Sequence, residues 1–149
     1  MRSGDAQSAA NVALMRNVAE AFAQADLKPL FEAIAPDIVW KSASTTEGPL
    51  LFGGTYLNRL GVIEVTSLIS AAYAFSQFTP KELLSSGDTV WGLFSVKGEY
   101  FPPGRRSLPK MLQFDCAIRW RLNEGKVVEH QAFFDTLAMF RRQDDQPSP

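Results

Sequence analysis

From Ser76 to Asp135 the chain reads as four strand segments broken only by turn chemistry, and one of them alternates without a fault. Residues 112–122, LQFDCAIRWRL, place Leu112, Phe114, Cys116, Ile118, Trp120 and Leu122 at even positions. Gln113, Asp115, Ala117, Arg119 and Arg121 take the odd ones. Successive side chains of a strand point to opposite faces, so this segment has one apolar and one polar face. The segments are SQFTPKELLS, TVWGLFSVKGEYF, LPKMLQFDCAIRWRL and KVVEHQAFFD, joined by SGD, PPGRRS and NEG. Short glycine-bearing links of this kind make antiparallel neighbours, so the second half is a meander.

The first half is helical. From about Ser8 to Ala25, Val12, Met15, Ala19 and Phe22 recur at helical spacing, with Ser8 as N-cap. Asp26 is placed to cap a second helix, LKPLFEAI, with Pro29 in its first turn and Pro36 at its end. IVWKSA is a short strand, and GPLLFGGTYLNRLG a glycine-punctuated connection. A third helix then runs from about Gly61 to Ala74, with Val62, Val65, Leu68, Ile69 and Ala72 on one side. TLAMFRR forms a short closing helix capped by Asp135. Helices first and strands after argue an α+β domain, with the helices on one face of a curved sheet. The domain is expected over 8–142, with 1–7 and 143–149 as flexible ends.

A chain of 149 residues is one domain by length. A formal charge of −1 gives no field to recruit nucleic acid or an anionic membrane, and the pairs Arg105/Arg106 and Arg141/Arg142 read as a turn and a helix end. No stretch approaches the roughly 20 apolar residues of a membrane span. Asn11, Arg16, Asn17 and Glu20 interrupt any leader-like apolar region. The lone Cys116 has no partner for an intramolecular disulfide and sits on the apolar face as a small hydrophobe, which suits a cytoplasmic setting. One histidine and one cysteine fall short of a four-ligand metal site, and the phosphate-loop, dinucleotide and nucleophile-elbow motifs are missing. No metal or cofactor is expected, which leaves the chemistry to side chains.

Four stretches together carry a resemblance: ADLKPLFEAIAPDIVW, GGTYLNRLGV, SGDTV and CAIRWRLNEGKVVEHQAFFDT. In their order and spacing the chain resembles, over about residues 10–142, the SnoaL-like branch of the nuclear-transport-factor-2-like superfamily. That group includes steroid delta-isomerases, limonene epoxide hydrolase and polyketide cyclases. The resemblance implies a cone-shaped α+β fold, a strongly curved mixed or antiparallel sheet wrapped around three N-terminal helices, with an apolar pocket open at one end. It also implies a homodimer through the outer sheet surface, with Phe114, Ile118 and Trp120 buried there and Asp115 facing inward.

Carried over position by position, the steroid-isomerase pattern survives only in part. Its aspartate base falls on Ser42 and its oxyanion-hole tyrosine on Val18, while its protonated carboxylic acid falls on Asp115. The worked case of such a neutral acid is that same isomerase, so true steroid isomerisation is not expected. The carboxylate of the limonene-hydrolase arrangement falls on Ala132. Alternation on the last strand puts His130, Ala132 and Phe134 inside.

The expected site is therefore Asp115 with His130. A carboxylate in an apolar cavity is a candidate proton donor, and an imidazole the natural base. Trp40, Tyr56, Trp91, Tyr100 and Phe134 are candidate walls, and Ser42, Asn58 and Gln113 candidate hydrogen-bonding groups. The leading reading is a cofactor-free isomerase, cyclase or hydrolase-type enzyme moving a proton on a small apolar carbonyl or polycyclic compound. The alternative is a non-catalytic ligand-binding or dimerisation module on the same fold.

Overall fold

The computed structural model describes residues 3–48, 50–102 and 108–144. The elements run α1 (Ser3–Ala23), α2 (Lys28–Ala33), β1 (Ile34–Lys41), β2 (Thr55–Leu57), α3 (Asn58–Ala72), β3 (Tyr73–Ser86), β4 (Thr89–Tyr100), β5 (Lys110–Asn123), β6 (Lys126–Phe133) and α4 (Thr136–Asp144). The strands form one open, mixed sheet in the order β2-β1-β6-β5-β4-β3. All neighbours are antiparallel except β1 and β6, which run parallel. The α+β architecture and the hairpin meander follow the expectation, and Gly87 and Gly125 turn two of its hairpins at positive φ.

Several boundaries differ from the sequence reading. Helix α1 begins at Ser3, so Ser8 is internal; its hydroxyl donates to the Gly87 carbonyl at 3.3 Å and ties the helix to the β3–β4 turn. The N-cap of α2 is Leu27 rather than Asp26, which stands one residue earlier and accepts the Lys28 N–H at 3.1 Å. Pro36 does not end that helix: α2 stops at Ala33 and Pro36 lies within β1. The short edge strand β2 was hidden in the glycine-rich connection. The arginine pair 105–106 and most of the PPGRRS link lie outside the described residues.

Strong curvature brings the inner sheet face around α1 and α3. Two register shifts in β3 against β4, between Phe75 and Gln77 and between Pro80 and Glu82, add residues on the outer, edge strand and bend it. The facing strand accommodates the bend with glycine. A Cβ on Gly98 would stand 2.6 Å from the Ala74 carbonyl oxygen, and one on Gly92 2.5 Å from the Phe94 ring. The core inside the curve is built on Met15, Ile38, Val62, Val65, Phe94, Val96 and Trp120, all nearly or fully buried.

Strand β5 decides which face is which. Its even positions Leu112, Cys116, Ile118 and Trp120 are buried, and Asp115 is exposed. The apolar face assigned to a partner subunit is thus the inner wall, and Asp115 lies outside. The reason is parity. Turning Asp115 inward would carry Arg119 and Arg121 in with it and put Phe114, Ile118 and Trp120 in water. No break in the β4–β5 register offers Asp115 an exception.

Candidate functional site

Within the curve the helices do not fill the sheet, and an apolar cavity of about 110 Å³ remains. Its walls come from Val18 and Phe22 of α1, Phe75 and Phe78 of β3, Phe114, Cys116, Ile118 and Trp120 of β5 and Met139 of α4, among others. Aromatic rings meet around it at centroid distances of 5.2 Å for Phe22–Phe78 and 5.2 Å for Phe114–Phe134, and Phe78 leans on Phe94 at 5.0 Å. The closing helix α4 seats Met139 in the cavity wall. Asp135 caps it by accepting the Ala138 N–H at 2.9 Å, as expected, and Gln143 donates to the Tyr73 hydroxyl at 2.7 Å.

Few polar groups interrupt this lining. Ser42, at the end of β1, borders the cavity with its hydroxyl donated to the Phe52 carbonyl. Cys116 borders it too; burial pushes the thiol up to about 12, so it stays protonated near neutrality. Burial also raises the Tyr73 phenol.

His130 is the exception in chemistry. Directly opposite residues form a row across three strands, Trp40 on β1, His130 on β6 and Trp120 on β5. The imidazole stacks on Trp40 with centroids 3.5 Å apart and planes 9° off parallel. From the other side Trp120 donates its indole N–H to Nδ1 at 3.0 Å. His130 is only 6% exposed, and burial pushes its pKa down to about 3, so the ring is neutral. An indole nitrogen can only donate, so Nδ1 must be the unprotonated nitrogen and Nε2 carries the hydrogen. No buried side-chain nitrogen or oxygen among the described residues is left without a partner. Since the bond from Trp120 is at Nδ1, Nε2–H opens to the cavity that His130 borders.

The residues expected from sequence divide accordingly. Trp40, Ser42, His130 and Phe134 border the cavity. Asp115 does not: its side chain is 55% exposed and both carboxylate oxygens lie 3.0 Å from Lys81 Nζ on the outer face. Gln113 is exposed on that same face, opposite Lys97. Trp91 is also outside, 43% exposed and stacked on Phe133. Tyr56 is half-buried beside Trp40 and donates to the Gly53 carbonyl at 3.0 Å, and exposed Asn58 opens α3 at positive φ. Tyr100 packs on Tyr73 in a second apolar cluster. None of these six borders the cavity. Trp120 was assigned to the wrong face, and the signal that could have placed it was the buried set of its own strand.

Asp115 and His130 are kept apart by a β-bulge. Leu122 faces Val127, but Arg121 faces Glu129, so Val128 is an extra residue on β6. Continued from the turn without that bulge, the ladder would set His130 opposite Arg119, on the outer face with Asp115. With it, His130 lies opposite Trp120 and turns in. Among the described residues, no group of three or more His, Cys, Asp or Glu could hold a metal ion, and no helix is long and apolar enough to cross a membrane.

The family model of the SnoaL-like domain matches residues 15–130. Among solved structures, an NTF2-like protein of unknown function from Burkholderia pseudomallei superposes with a TM-score of 0.79 at 24% identity, covering 91% of this chain and 98% of its own. A protein classed as a SnoaL-like polyketide cyclase, from Jannaschia sp. CCS1, gives 0.78 at 16% identity, covering 94% and 95%. TerC, co-crystallised with polyporic acid, gives 0.77 at 19% identity, covering 91% and 99%. Among curated proteins none matches the chain.

Proposed function

The chain belongs to the SnoaL-like domain family, and we propose that it binds a small, apolar, ring-bearing molecule inside the sheet, with His130 as the polar anchor. The observation that carries this reading is a cavity walled by aromatic rings, with one buried imidazole directed into it. Its size supports a compact ligand. An apolar cavity of roughly 150 Å³ takes up benzene, and about 110 Å³ here suits a single ring better than a polycyclic skeleton.

The same groups argue against proton shuttling. General acid–base work wants a pKa near the operating pH. His130 is pushed down to about 3, Cys116 up to about 12, and Tyr73 is raised, all by burial. Asp115 is on the wrong side of the sheet to share a site with His130. A neutral imidazole in this setting donates a hydrogen bond, and donation suits recognition.

Tryptophan fluorescence tests the reading directly. Trp40 and Trp120 border the cavity, while Trp91 lies on the outer face. Titration with acetophenone and with isopropylbenzene, its hydrocarbon counterpart in shape, is expected to give saturable quenching with one site. His130→Phe keeps a ring on Trp40 and is expected to weaken acetophenone while sparing the hydrocarbon. Failure of both probes to saturate overturns the reading. Protein-accelerated deuterium exchange at the acetophenone methyl group would restore proton transfer in its place.

A further inference from the structure

The pocket is asymmetric in hydrogen-bond chemistry, and the asymmetry originates outside the histidine. An isolated neutral imidazole places its hydrogen on either nitrogen, offering a ligand an acceptor as readily as a donor. Here Trp120 removes the choice. Its N–H reaches Nδ1 at 3.0 Å across a directly paired position of β5 and β6, and Trp40 stacks at 3.5 Å to fix the plane of the ring. Phe94 meets Trp120 edge-on at 5.8 Å from the next strand, which holds the indole in turn. Resting on the pocket reading above, we propose that Trp120 is a positioning residue that selects the ligand class: it holds His130 in the Nε2–H form, so the site takes apolar rings bearing an acceptor oxygen, such as aryl ketones and aldehydes.

Two physical points make the selection effective. The lining is almost wholly apolar, so a ligand without an acceptor that fills the cavity covers the imidazole hydrogen and leaves it desolvated and unmatched. A ligand that offers only a donor N–H meets a second hydrogen head-on and is worse still. Losing a neutral hydrogen bond of this kind corresponds to roughly five- to tenfold in affinity. Among the other polar groups at the wall, the Ser42 hydroxyl is given to Phe52, and Tyr73, whose oxygen receives Gln143, keeps an O–H that favours the same acceptor-bearing ligands.

His130 is the chain's one histidine, so nitrogen-15 labelling of histidine gives a single imidazole spectrum. Two-bond nitrogen–proton correlations in the unliganded protein are expected to show hydrogen on Nε2 and a bare Nδ1. Hydrogen found on Nδ1 overturns the inference without any variant. Trp120→Phe removes the indole donor while keeping an aromatic ring. It is expected to release the tautomer into a mixture and to collapse the preference of acetophenone over isopropylbenzene from roughly five- to tenfold to near unity. Pyrrole, a donor-only ring, is expected to bind more weakly than isopropylbenzene in the natural protein and to gain in the variant. If both probes bind the natural protein equally, the pocket reading stands and the positioning role fails. If neither binds, the pocket reading itself fails. An unchanged tautomer and unchanged preference in Trp120→Phe also overturn the role of Trp120.

Discussion

Lys81 Nζ lies 3.0 Å from both carboxylate oxygens of Asp115, across the outer face of β3 and β5, where both side chains are about half exposed. That pair accounts for the aspartate in the middle of an otherwise clean alternation. It is a solvated cross-sheet ion pair, and it belongs to the exterior of a domain whose cavity lies on the other face of the sheet.

The consequence for mutation is modest. Exposed ion pairs are worth about 0–1 kcal/mol, so Asp115→Asn should lower the unfolding free energy measured in urea by no more than that amount. It should leave acetophenone affinity where it was. A tenfold loss of ligand affinity in Asp115→Asn, with the fold intact, would return this carboxylate to the site.

His130 makes the opposite case, since its burial couples to stability. Its pKa falls from 6.5 to about 3 on folding because burial penalises the charged ring. Between those values the unfolded chain holds a proton that the folded chain does not. Stability from this group is therefore complete above pH 6.5 and is lost as pH falls toward 3, with a slope approaching 1.4 kcal/mol per pH unit, about the free energy of one pKa unit. Glu129 acts lower: the hydrogen bond from Arg121 holds its carboxyl below the usual 4.5, so its contribution fades only beneath that value. The interval from pH 5 to 6.5 thus belongs to His130. Urea unfolding across it should show the slope in the natural protein and a nearly flat profile in His130→Gln, whose amide oxygen can still accept from Trp120. Equal slopes in the two proteins would mean that His130 is hydrated.

Much of the fold was legible because hydrophobic period and turn chemistry agree from Ser76 onward. The SGD and NEG links sit where the sequence puts them, and the SnoaL-like resemblance supplied the curvature that period alone cannot. The site was legible only in part. Trp40, Ser42, His130 and Phe134 border the cavity, but the resemblance that turned His130 inward turned Asp115 inward with it, whereas a hairpin counted straight from NEG would put both on the outer face. The single extra residue at Val128 undoes that count. Nothing in KVVEHQ announces a bulge: it carries neither glycine nor proline, and its valines suit a regular strand equally well. The better guide lay in β5 itself, where moving one aspartate inside means moving two arginines with it.

The cavity wall sets an upper limit on ligand size, and Phe78 is the residue through which to move it. Its ring stands between Phe22 at 5.2 Å and Phe94 at 5.0 Å, and it borders the cavity from the edge strand β3, where the backbone has solvent on one side. Phe78→Ala removes a ring from that wall without touching His130, Trp40 or Trp120. Truncating a fully buried phenylalanine costs about 3–5 kcal/mol; Phe78 is half-buried, so a loss toward the lower end, about 2–3 kcal/mol, is expected from urea unfolding. The space left should admit a second fused ring. Acetophenone, anchored through its oxygen, should lose contacts and bind less tightly, while 2-acetylnaphthalene should gain, reversing the order of the two ketones by tryptophan quenching. The ketone-over-hydrocarbon preference should survive, because the tautomer of His130 is set from the opposite side by Trp120. If Phe78→Ala lost that preference along with its size limit, the ligand would be lodged against β3 and the polar anchor would have to be sought there.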